Sequence, residues 1–168
     1  MSPDDIATDT LLGIQRLYGA QSHLIDEGRA AEWAATFTAD GEFRSPSYPE
    51  PAAGARELTA FAERFHASAR AAGLVTRHVL TNLWVESADD HRARVRAYLQ
   101  IVSTPAGGPS RLERMTVVTD DLVRHGGRWL VRRRTVHRDD APSEDAGGAP
   151  RGGPGRRQHD EHEHEENA

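Results

Sequence analysis

Apolar residues in the first 28 positions fall at helical spacing: Ile6, Leu11, Ile14, Leu17, Tyr18, Leu24 and Ile25. Ser2 as a cap, Pro3 at the first helical position and Asp4 and Asp5 in the first turn mark a start, and Gly28 marks a stop. A second, short helix is predicted over residues 29–38, where Trp33 and Phe37 stand at i and i+4. Asp40-Gly41 reads as a turn and residues 42–45 as a strand, while residues 46–54, with Pro46, Pro49 and Pro51, read as loop. Helical spacing returns over residues 56–72 through Leu58, Phe61, Phe65 and Ala69. Then the period changes. Residues 75–86 are rich in β-branched and apolar types, and residues 92–103 open on Arg92, Arg94 and Arg96 alternating with Ala93, Val95 and Ala97. Two more strands, over residues 112–124 and 128–138, are joined at His125-Gly126-Gly127, a hairpin signal. Helices first and a long antiparallel meander afterwards is an α+β order, in which the amphipathic helices cover one face of the sheet.

Composition divides the chain. Residues 139–168 contain no aromatic residue and no Ile, Leu or Val. Such a segment buries too little apolar surface to offset an ordering cost of roughly 1–2 kcal/mol per residue, so a disordered tail is expected behind a folded unit spanning residues 1–138. The tail has 9 acidic residues against 3 Arg, and the body 17 against 18, so the negative balance belongs to the tail. A nearly neutral body offers no electrostatic case for nucleic acid or an anionic membrane as partner. His159, His162 and His164 among the tail's acids could hold a divalent metal weakly, and a solubilising tail explains them as well.

The absences restrict the chemistry further. There is no Cys, which excludes disulfides, thiolate catalysis and Cys-based metal centres, and no Lys, which excludes a Schiff base and a P-loop lysine. No apolar run has the length of a membrane span and the first ten residues, MSPDDIATDT, are acidic, so a cytoplasmic location is expected.

Four segments, in order, resemble the nuclear transport factor 2-like superfamily and its SnoaL-like branch. LYGAQSHLIDEG (residues 17–28) is similar to the end of that family's long first helix, and WAATFTADGEF (residues 33–43) to its second helix and first strand. TRHVLTN (residues 76–82) is similar to the start of its long sheet, and DDLVR with GRWLVRRR (residues 120–124 and 127–134) to its last two strands. The resemblance implies a cone-shaped barrel, a curved antiparallel sheet covered by about three N-terminal helices and enclosing a pocket. It implies no cofactor, and it implies a homodimer formed through the open sheet face. The superfamily includes steroid isomerases, scytalone dehydratase, limonene epoxide hydrolase, polyketide cyclases and non-catalytic transport proteins, so fold alone does not decide function.

Asp26 and His78 are the catalytic candidates. The resemblance matches them to an aspartate and the histidine it orients in scytalone dehydratase-like members. Imidazole suits proton transfer because its unperturbed pKa is about 6.5. An ordinary helix end would also explain Asp26, and a satisfied strand histidine His78. Tyr18, Ser22 and Asp26 share a helix face at i, i+4 and i+8, with Gln21 at its border. Tyr18 could donate to a substrate carbonyl, and Asn82, in phase with His78 on a strand, could donate to an enolate oxygen. Trp33, Phe37 and Phe43 are expected in the core and the pocket wall. Where dehydratase-like members carry a second histidine, a gapless match finds Ser103, and residues 92–103 contain no acid for epoxide opening. In Arg132-Arg133-Arg134, alternation sends Arg133 to the face opposite its neighbours, and a solvated sheet explains the run. No residue set calls for a metal. The preferred expectation is a cofactor-free cyclase, isomerase or dehydratase of secondary metabolism, acting on an apolar, oxygenated, polyketide-like substrate. The rival is a non-catalytic ligand-binding or accessory subunit of the same fold.

Overall fold

The computed structural model describes residues 6–139. The predicted cap at residues 2–5 lies outside the described residues, as does nearly all of the tail with its histidines. Three helices, α1 (Thr8–Asp26), α2 (Ala30–Ala34) and α3 (Gly54–Ala71), accompany six strands. These are β1 (Phe37–Arg44), β2 (Ala52–Ala53), β3 (Leu74–Ala88), β4 (Arg92–Pro105), β5 (Arg111–His125) and β6 (Arg128–Arg138). They form one curved, unclosed sheet in the order β2-β1-β6-β5-β4-β3. The α+β cone expected from the sequence is present.

The four long strands are an antiparallel meander, but β1 runs parallel to β6, so the sheet is not wholly antiparallel. Gly126 and Gly127, both at positive φ, turn β5 into β6 with the two-residue geometry that favours glycine. Near β1 the sequence reading needs correction. Phe37 begins β1 rather than ending a helix, and the strand continues through Asp40-Gly41 with a register irregularity where a turn was expected. Spacing of i and i+4 could not separate these cases, because Phe37 buries against Trp33 from either geometry, with ring centroids 4.8 Å apart.

α1 turns Ile14, Leu17, Tyr18, Gln21 and Ile25 inward, and α1 and α3 cover the concave face of the sheet. Trp33, 2% exposed, is the centre of this core and packs on Phe61 as well as Phe37. The concave face of β5 and β6 is a ladder of directly opposed residues. Asp120 faces Arg134, Val118 faces Val136, and Thr116 faces Arg138. On the convex face Val75, Val79, Trp84, Tyr98 and Leu112 remain exposed. Among the described residues no helix is long and apolar enough to cross a membrane.

Candidate active site

The concave face of the sheet and the helices line a pocket that opens to solvent at one end. Trp33, Phe43, Phe61, Phe65, Leu99 and Ile101 supply the apolar wall. The polar groups reaching it deeper in are few: Gln21, Ser22, His78, Thr116 and Arg134. No Asp or Glu lines it among the described residues. An apolar cavity with a few convergent polar groups is the usual form of a small-molecule site.

His78 enters from β3 and is held from behind by the last residue of α1. Its Nδ1 lies 2.7 Å from Asp26 Oδ1, and its backbone N–H donates to both carboxylate oxygens at 3.2 and 3.1 Å. A carboxylate at a helix C-terminus opposes the macrodipole. Here the partners on β3 offset that cost. Both side chains are largely buried, 10% exposed for His78 and 6% for Asp26, so water screens the pair weakly. Because a carboxylate only accepts, the ring proton belongs on Nδ1, which leaves Nε2 as the nitrogen free to exchange a proton with a ligand. Phe65 packs on the imidazole at 4.9 Å between centroids and restricts its rotation.

A second buried network lies on β5 and β6. Arg134 Nε donates to Asp120 Oδ1 at 2.9 Å, and its Nη2 donates to Asp120 Oδ2 at 2.6 Å and to Gln21 Oε1 at 2.8 Å. The Tyr18 hydroxyl donates to Asp120 Oδ2 at 2.7 Å, and Gln21 Nε2 donates to Thr36 Oγ1 at 2.8 Å. Burial, then the Asp120 charge, pushes the Tyr18 phenol well above its ordinary pKa. Burial alone would lower the Arg134 pKa, but the Asp120 charge and hydrogen bonds outweigh it and hold the guanidinium above its ordinary value. Arg134 is therefore a permanent cation beside an apolar cavity.

Residues 8–135 match the SnoaL-like domain. The chain belongs to that family. Among solved structures it is 30% identical to Aln2 from a Streptomyces species, covering 80% of this chain and 94% of that one with a TM-score of 0.73. It is 32% identical to ActVI-ORFA from Streptomyces coelicolor, covering 80% and 100%, TM-score 0.72. It is 30% identical to a protein from Catenulispora acidiphila solved in complex with S-DNPA, covering 79% and 96%, TM-score 0.69. None of the curated proteins matches the chain.

The SnoaL-like cone brings Gln21, Ser22, Trp33, Phe43 and His78 to the cavity wall, with Asp26 directly behind His78. Three other residues expected there lie elsewhere. Phe37 is 3% exposed and packs in the core. Tyr18 is 1% exposed and its hydroxyl is committed to Asp120, so it does not meet a ligand carbonyl. Asn82 is exposed at φ +53, at a bulge between Thr81 and Trp84 that turns Leu83 to the core instead. Strict alternation from His78 and Leu80 would have sent Asn82 inward; the extra residue reverses the phase. Ser103 is buried but bonds Glu113 rather than lining the cavity.

Arg134 is the site residue that sequence reasoning missed. β6 also carries a bulge, where Asp121 pairs Arg133 and Leu122 pairs Val131, so Arg132 is the extra residue and Arg134 faces inward with Trp129, Val131 and Val136. One signal was available. Thr116, Val118, Asp120 and Leu122 share a strand face, and an acid in such a row needs a buried cationic partner.

Proposed function

We propose that this protein is an acid–base enzyme that moves a proton on a small, largely apolar, oxygenated molecule, forming and quenching an enolate in a cyclisation, isomerisation or dehydration. One observation carries this reading: the 2.7 Å Asp26–His78 contact at the wall of an apolar cavity. Nε2 of His78 takes the proton from a carbon beside a carbonyl, and Asp26 holds the tautomer and stabilises the imidazolium that results. Arg134 opposes the negative charge that develops on the carbonyl oxygen, the role first expected of Tyr18 and Asn82. The S-DNPA complex of the Catenulispora protein supports a small organic ligand. A polyketide-derived ring in secondary metabolism fits this reading.

The test is α-proton exchange of 2-tetralone in D2O, followed by NMR. Wild type is expected to accelerate exchange, and His78→Asn to lose about 10²–10⁴-fold of that acceleration. Exchange unaffected by His78→Asn would end the proposal. The rival reading, a ligand carrier, draws on His78 being the only histidine lining the cavity among the described residues, which leaves no second imidazole there for dehydration. Binding of 2-tetralone without accelerated exchange would favour it. We also propose a homodimer joined through the exposed apolar residues of the convex face, Trp84 and Tyr98 among them. Light scattering of wild type against Trp84→Glu checks this, and a monomeric wild type would rule it out.

A further inference from the structure

A groove adjoins the cavity under the second half of α3, and the change in side chains along that helix makes it. Phe61 and Phe65 turn large rings to the cavity, whereas one turn further the same helix face carries only Ser68, Ala69 and Ala72. Those small side chains leave room above the sheet. Phe65, Ile101, Tyr48 and Arg114 border both spaces, and the last two are exposed, so the groove begins where the cavity opens. The floor changes character as well. Thr76 pairs with Ser103 on the same sheet face as the His78–Ile101 pair, two residues or about 7 Å along, and both hydroxylic residues are buried. Ser103 donates to Glu113 Oε1. Glu113 is the extra residue of a bulge between the Ile101–Arg114 and Val102–Leu112 pairs, which lets the consecutive residues Glu113 and Arg114 both line the groove. Arg114 Nη1 in turn donates to Ser47 Oγ at 3.1 Å, beside Tyr48, whose ring stands edge-on to Phe61 with centroids 5.2 Å apart.

We infer that the ligand has a second part, a ring bearing adjacent hydroxyls such as a glycosyl group, which lies in this groove while the apolar part occupies the cavity beside His78. This rests on the cavity being a ligand site, as proposed above, and adds the class of ligand. The charges select it. Arg64 and Arg114 line the groove together with Glu113. An anionic group there meets the Glu113 carboxylate, and an ammonium meets two guanidinium groups. A hydroxyl suits both signs, because it donates to the carboxylate and accepts from a guanidinium. Glu113 Oε2 takes no bond from a described residue, so an acceptor remains beside the oxygen that Ser103 occupies. Ser68 adds a further hydroxyl from above. The Tyr48 ring, 43% exposed at the rim, offers an apolar surface for the carbon face of such a ring. The spacing agrees: the hydroxylic floor starts about 7 Å from the His78 row, so the hydroxylated ring follows directly on the part of the ligand that meets the imidazole.

Equilibrium dialysis on the full chain tests the inference with 2-naphthyl β-D-glucopyranoside and 2-methoxynaphthalene, which share the aryl ether and differ in the hydroxylated ring. The glucoside is expected to bind at least about tenfold more tightly, the factor that a hydrogen bond to a charged group supplies. Glu113→Ala removes the acceptor and Ala72→Trp fills the groove at an exposed position. Each should abolish most of the preference while leaving 2-methoxynaphthalene binding as it was. Equal affinity for the two compounds in wild type overturns the hydroxylated ring and leaves the cavity reading standing. A preference that survives both variants places the sugar elsewhere and also overturns it. Tighter binding of 2-naphthyl phosphate than of the glucoside, weakening in salt, reassigns the groove to anions and overturns it too. Binding of none of these compounds removes both this inference and the cavity reading beneath it.

Discussion

Two buried aspartates each hold a nitrogen-bearing side chain in this cone, and the pairs differ. Asp26 holds His78, an imidazole with a second ring nitrogen; Asp120 holds Arg134, a guanidinium that keeps its proton. Asp26 makes one side-chain contact to its partner and anchors it again through the backbone N–H. Asp120 is saturated, taking bonds from Arg134 and from the Tyr18 hydroxyl, with Gln21 bracing the far side of the guanidinium. The first arrangement leaves a ring nitrogen uncommitted to the aspartate, as the proposed proton transfer needs. The second yields a fixed charge. A buried carboxylate alone therefore says little about function; what its partner can release says more.

Replacement of each aspartate separates the two. Asp26→Asn is expected to lower 2-tetralone exchange by about 10²–10⁴-fold, because the amide no longer holds Nδ1–H or opposes the imidazolium charge. The unfolding midpoint should move little by comparison, and a variant with full exchange would show that Asp26 is only a helix end. Asp120→Ala leaves a buried guanidinium without its counter-charge and should cost about 3–5 kcal/mol in urea unfolding. Restoring an apolar partner with Asp120→Ala/Arg134→Met should recover much of that loss; no recovery would mean that packing, not charge, was at stake.

The smallest effect sharpens the comparison through pH. Tyr18→Phe removes one hydrogen bond to a charged acceptor, worth about 1.5–3 kcal/mol near neutrality. The Tyr18 pKa is raised above its ordinary value of 10.0, by burial first and the Asp120 charge second. A group raised in the folded state contributes fully below its unfolded pKa, and the contribution is lost as pH climbs toward the folded value. Wild-type stability should therefore fall more steeply above about pH 10 than that of Tyr18→Phe, as urea titrations across the alkaline range would show. Parallel curves would mean that the phenol does not meet Asp120.

Much of this was legible in the sequence, for identifiable reasons. Helical and strand periods located all three helices and the four long strands, since burial on one face leaves its period in the chain. The Asp26–His78 pair came from resemblance, because no local pattern joins residues 52 apart. What escaped were the bulges. At Asn82, Glu113 and Arg132 one extra residue reverses the phase of a strand, and a period of 2 carries no trace of it. The misplaced Asn82 and the overlooked Arg134 share that origin. Phe37 escaped for another reason: its burial against Trp33 serves a helix and a strand equally.

The run Arg132-Arg133-Arg134 has a consequence for how β6 finds its place. If the strand slipped by one residue toward its C-terminus or by two, an arginine would still arrive opposite Asp120, so attraction between the charges cannot distinguish the correct alignment from these neighbours. That discrimination falls to Trp129, Val131 and Val136, which a one-residue slip would turn out to water. The ion pair closes whatever alignment it meets, and proofreading is left to the oily residues on either side of it.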